Sequence, residues 1–192
     1  MSITGYWVVM PVPASVIDEV VPVLGPLIAA QAASDAGRRG LERWLRGGLD
    51  LPDVLELHDL AAPYLLDDHL DLLFEVWGAY EKADRFLKSA CRKGYPAIGM
   101  AYALGPERFS AVPGWFGDFV LTPHEVRAAL PAVEAALALD PAERAAADRR
   151  LHELLDEASE ENAAALFDDL VPTWRRAADT GQGLIGAQAI PC

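Results

Sequence analysis

Two histidines and a run of carboxylates lie close together in the first half of the chain: His58-Asp59, then Asp67-Asp68-His69 and Asp71. Imidazole nitrogens and carboxylate oxygens in one neighbourhood can hold a divalent cation, which makes His58, Asp67 and His69 the candidates for a metal site. Against that chemistry, Asp67, Asp68 and Asp71 also suit the first turn of a helix, where negative charge is favoured. No metal and no other cofactor is expected. His124-Glu125 has the residue types of an acid/base pair, but Glu125 stands three residues after Thr122 and is accounted for as half of a capping box. His152 sits on a charged segment and reads as surface.

Binding candidates fall in two places. The loop from Glu107 to Gly117 carries Phe109, Trp115 and Phe116, and loops hold binding residues more often than scaffolds do. Those rings either form an exposed patch or fold back to cap the end of a sheet. Lys82, Arg85, Lys88 and Arg92 recur at spacings of three and four, so a helix over this stretch would carry a basic side able to dock an acidic ligand, or merely a solvated face. The chain lacks a nucleophile elbow, a phosphate-cradling glycine loop, a dinucleotide fingerprint and a His-Glu-x-x-His helix. The common enzyme classes are thereby moved down the order.

With 29 acidic and 16 basic residues the chain has a formal charge of −13. That field repels phosphate backbones and anionic lipid surfaces, so neither nucleic acid nor a membrane is an expected partner, while a basic protein is. Two cysteines, Cys91 and Cys192, form no CxxC pair and no disulfide framework, and Cys91 reads as a structural thiol. The N-terminal residues lack the basic start of a signal peptide, so a reducing cytoplasmic setting is expected. The longest uncharged stretch, Val20 to Ser34, is short for a bilayer span and contains Pro22, Gly25 and Pro26.

The elements that must position these residues are legible from periodicity and punctuation. Gly5 to Val12 reads as a buried strand, and the helix from Val16 is expected to break into two pieces at Pro22 and Pro26. Further helices are expected at Asp35 to Arg46, from Asp50 to Ala61, from Asp67 past Trp77 with a break at Gly78, and from Lys82 to Arg92. Ala97 to Leu104 suggests a second strand that stops at Gly105-Pro106, and Phe119-Val120-Leu121 a third. Thr122-Pro123-His124-Glu125 and Asp140-Pro141-Ala142-Glu143 each open a helix with a capping box. A last helix, Glu161 to Thr180, should kink or restart at Pro172 and end at Gly181, before a strand from Gly183 to Ile190 returns to the sheet begun at Tyr6 to Val9.

Three places resemble the YfbM-like family, small α+β proteins known mainly as a domain of unknown function. They are the opening Met1 to Val9, the stretch from Gly117 to Val126 with its Leu-Thr-Pro-x-Glu-Val helix start, and the end from Leu170 through Trp174 and Gly181 to Ile185. The resemblance implies a two-layer antiparallel sheet with helices, and no catalytic residues. The family's middle helix carries Asp-x-x-Lys-x-Trp and a histidine a turn later. Tyr80 to Leu87 here keeps only Lys82 of that pattern. His58-Asp59 looks like the central pair of HD-type phosphohydrolases, but no histidine precedes it to serve as that class's upstream ligand.

The expectation is one α+β domain over residues 1–192, helix-rich, with a small antiparallel sheet packed against several helices. Its first expected role is non-catalytic binding through protein contacts, of an accessory or immunity type. The alternative is a small enzyme or ligand-binding protein with a pocket at the sheet end.

Overall fold

The chain's first and last strands meet at the centre of the sheet. The computed structural model describes residues 4–47, 54–81 and 86–189. β1 (Thr4–Val12) is rich in aromatic and β-branched residues and is buried without interruption from Trp7 onward, as suits a strand covered on both faces. β4 (Gly183–Ala189) is buried at every position and pairs antiparallel with β1, Trp7 opposite Gln188 and Met10 opposite Ile185. β2 (Leu87–Arg92) lies on the other side of β1, and the short β3 (Phe119–Leu121) on the other side of β4, giving the order β2-β1-β4-β3 with every pair antiparallel.

Helices surround this sheet: α1 (Ala14–Ala33), α2 (Asp35–Gly47), α3 (Val54–Ala61), α4 (Leu70–Tyr80), α5 (Pro96–Phe109), α6 (Pro123–Leu137), α7 (Pro141–Leu154), α8 (Glu160–Asp168) and α9 (Leu170–Thr180). The fold is a helix-rich α+β structure with a small antiparallel sheet, as expected. Side chains alternate across a strand, so the partners of Tyr6 and of Trp7 mark the two faces. Tyr6 meets Trp77 of α4 edge-on, and Gly183 on that face lies against Ile17 of α1. On the opposite face Phe119 packs on Trp174 of α9, and Trp7 lies beside Gly117 and α5. Both faces are covered, where the family resemblance implied two layers.

Both capping boxes form. The Thr122 hydroxyl accepts from the Glu125 amide while the Glu125 carboxylate accepts from the Thr122 amide at 2.8 Å, and Asp140 and Glu143 repeat the exchange. Gly181 ends α9 in a left-handed conformation.

Several expectations are corrected. First, α1 is one helix of 20 residues through Pro22 and Pro26. Both prolines face solvent, where water can serve the carbonyls of Asp18 and Pro22 that lose their donors. By length and composition α1 is apolar enough to cross a membrane, although Ile17, Val20, Leu24 and Ile28 bury a stripe of it in this fold. Second, α4 runs through Gly78 to Tyr80 without a break.

Third, Leu87 to Arg92 is a strand instead of the end of an amphipathic helix. Leu87, Ser89 and Cys91 are buried and Lys88 and Arg92 exposed, an alternation of period two. Fourth, Ala97 to Leu104 is helical. Almost every residue there is buried, so the run carries no helical stripe to read. Gly99 lets α5 approach α7 closely, since a Cβ there would stand 2.5 Å from Leu155. The punctuation at Gly105-Pro106 survives as a kink inside α5, with Gly105 at φ 76°. The restart near the C-terminus falls at Asp169, between α8 and α9, and Pro172 sits in the first turn of α9, where its missing N–H does no harm.

Candidate functional site

Phe109, Trp115 and Phe116 are core residues, each at most 5% exposed. Residues 115–118 close a two-residue turn in which the Trp115 and Asp118 backbones exchange hydrogen bonds of 2.8 and 3.0 Å, with Phe116 at φ 47° and Gly117 at φ 102°. The turn drives Phe116 against Trp44 at 4.9 Å between centroids, with Phe109 beside both. The Trp115 indole donates to the Leu60 carbonyl at 2.9 Å. The three rings therefore lock α2 and α3 onto the sheet end and are themselves buried.

The same turn buries Asp118 completely beyond the end of β3. Its Oδ1 accepts from the Gln188 backbone N–H at 2.8 Å, continuing the ladder along β4 where β3 has run out. Its Oδ2 and both amide atoms of Gln188 reach no hydrogen-bond geometry, although the amide lies close enough to bias the carboxyl. Burial pushes the Asp118 carboxyl well above the usual carboxylate range, against the pull of the Gln188 amides. Asp67 lies near enough to add to that rise, and its own carboxyl is raised by burial and then by Asp68.

His58 and Asp67 are brought to one region, with tyrosines between them. The His58 ring meets Tyr95 at 5.0 Å and Tyr64 at 5.9 Å, and the Tyr95 hydroxyl donates to that of Tyr64. Burial raises the Tyr95 phenol, helped by Tyr64 and then Asp67. His69 follows on the turn of 3-10 helix that leads into α4. Among the described residues no three His, Cys, Asp or Glu side chains are grouped to hold a metal.

His124 is exposed in the first turn of α6, and the Glu125 carboxylate is occupied by Thr122, so the two form no acid/base pair. Lys82 and Arg85 lie outside the described residues. Lys88 and Arg92 are strand residues, and Arg92 pairs with Glu157. Burial, and then Asp156 and Glu157, push the Cys91 thiol up to about 11, which suits a structural thiol and no nucleophile.

One concavity was not anticipated. A groove of about 700 Å³ runs between the end of α4, the start of β2, α8 and the start of α9. Half-buried Trp77 and Phe86, 6.2 Å apart, form its apolar floor, and Thr173 lies beneath with an unpartnered buried hydroxyl. Its rim carries Glu81, Glu161 and Asp169, all exposed, and Lys88. None of these three carboxylates belongs to an ion pair among the described residues, although Glu42, Glu56, Glu134, Glu143 and Asp168 all do. The sequence signal was the acidic run from Asp156 to Glu161 with Asp168-Asp169. What concealed the groove was that its floor comes from a different third of the chain.

No family model, no curated protein and no solved structure matches this chain.

Proposed function

We propose that the chain is a non-catalytic binding protein that docks a basic segment of a partner protein in the groove between α4, α8 and α9. The observation that carries the reading is the set of carboxylates, Glu81, Glu161 and Asp169, that belong to no ion pair among the described residues and stand around the Trp77 and Phe86 floor. Exposed acids ringing an apolar floor suit a segment in which Lys or Arg flanks an apolar anchor. The −13 charge favours encounter with such a segment and disfavours nucleic acid. A cytoplasmic setting and membership of the YfbM-like family belong to the same proposal. The family placement is supported by the order of opening strand, capped helix, closing helix, glycine and strand.

The test is fluorescence anisotropy with a labelled synthetic peptide of Arg residues around a central Leu-Trp pair, at low and high salt. Binding should weaken steeply with salt, and the E161K/D169K double variant should bind about tenfold or more weakly. Equal affinity at both salt concentrations, or an unaffected double variant, would reject the groove as the docking site.

A further inference from the structure

A second hollow, sharing no lining residue with the docking groove, opens between α3, the β2–α5 turn, α5 and the end of α7. It measures about 240 Å³ and is lined by His58, Lys93, Tyr95, Ile98, Leu154 and Leu155. That is just below the range of roughly 300–1,000 Å³ typical of drug-sized ligands, so it suits a single or small fused ring.

We infer that this cleft is a binding site for a small, uncharged aromatic molecule, which lies on Ile98, Leu154 and Leu155 with its edge toward the His58 and Tyr95 rings. The walls are apolar or aromatic, which suits a ring with at most one polar group. The one ammonium at the rim, Lys93, is held by Glu157 at 2.7 Å, and the same carboxylate takes Arg92. An anionic ligand would compete with Glu157, and a cationic one would be repelled by Lys93.

The cleft is also pre-formed. Tyr95 is fixed by its hydroxyl to Tyr64 and by the His58 ring, and Lys93 stands in a left-handed turn at φ 57°. At Gly94 and Gly99 a Cβ would collide with Leu155, so the backbone sits directly against that wall. Rigid walls spare the ligand the cost of ordering them.

Saturation-transfer NMR with indole, benzamide and benzoate as probes, on the full chain, tests this. Indole and benzamide should bind with Kd on the order of 0.1–1 mM, and benzoate about tenfold more weakly. I98W should fill the hollow and abolish binding of the uncharged probes while leaving the anisotropy of the basic peptide unchanged. If I98W fails to fold by circular dichroism, L154W serves the same purpose. Absence of any signal from indole and benzamide, survival of the signal in the folded variant, or tighter binding of benzoate would each overturn the inference.

Discussion

Asp118 extends β4 past the end of β3 by standing in for a missing strand residue, and it does so as a buried acid. Its folded pKa is raised, so the folded state binds the proton more tightly than the unfolded chain. The stability this contributes is complete below the ordinary carboxylate pKa near 3.8 and is lost as pH rises from there through the raised value. Asp118→Asn keeps the acceptor for Gln188 and carries no charge. In urea titrations it should match or exceed the parent at pH 8 and lose its advantage toward pH 4, whereas parallel pH profiles would refute the argument. Asp118→Ala orphans the Gln188 N–H and should cost about 1–3 kcal/mol. Nothing in the sequence marks this residue, because a single Asp before a three-residue strand has the local form of an ordinary turn.

Elements here are held at their edges and their closest approaches. The free edge of β2 is covered by α8: the Ala90 N–H donates to Asn162 Oδ1 at 2.9 Å, and the Ser89 hydroxyl donates to the Asn162 carbonyl at 2.8 Å. Asn162→Ala leaves the Ala90 N–H facing an apolar methyl and should lower stability by roughly 1–2 kcal/mol, read from the urea midpoint at unchanged slope. Gly99→Ala forces a methyl into Leu155 and Leu151, and overpacking of this kind typically costs about 1–3 kcal/mol. A neutral Gly99→Ala would mean that α5 and α7 shift apart without penalty. The end caps are milder levers: Asp140→Ala should cost about 1 kcal/mol, since it removes the acceptor for the Ala142 and Glu143 amides.

At the scale of the molecule, charge is distributed unevenly between partnered and unpartnered sites. Arg144 joins α7 to α8 through Asp148 and Asp168 and lies over the Phe167 ring at 4.7 Å, so acids there are spent on holding the fold. Those around the α4–α8–α9 groove form no ion pair among the described residues. Raising salt should therefore reduce docking of the basic peptide far more than it reduces the melting temperature, because burial carries most of the stability and is not screened. A parallel loss of both would place the groove acids in the fold's own support.

The sequence alone determined the elements whose signals are local. β1 and β4 are runs of buried-strand residues, and the two capping boxes and Gly181 satisfy helix ends through side chains within three residues or through one left-handed glycine. Only the tertiary structure decided β2 and α5. Lys82, Arg85, Lys88 and Arg92 satisfy a helical spacing while Leu87 to Arg92 also alternates, and pairing with β1 selects the alternation. Ala97 to Leu104 is buried all round, so its periodicity vanishes and packing against α7 makes it a helix. The sites divide in the same way. The aromatic loop was visible as residue types, but whether its rings faced water depended on the 115–118 turn and on Trp44, Leu60 and Gly37 closing over them. The groove and the cleft each join segments far apart in the chain, and such convergence leaves no trace in spacing.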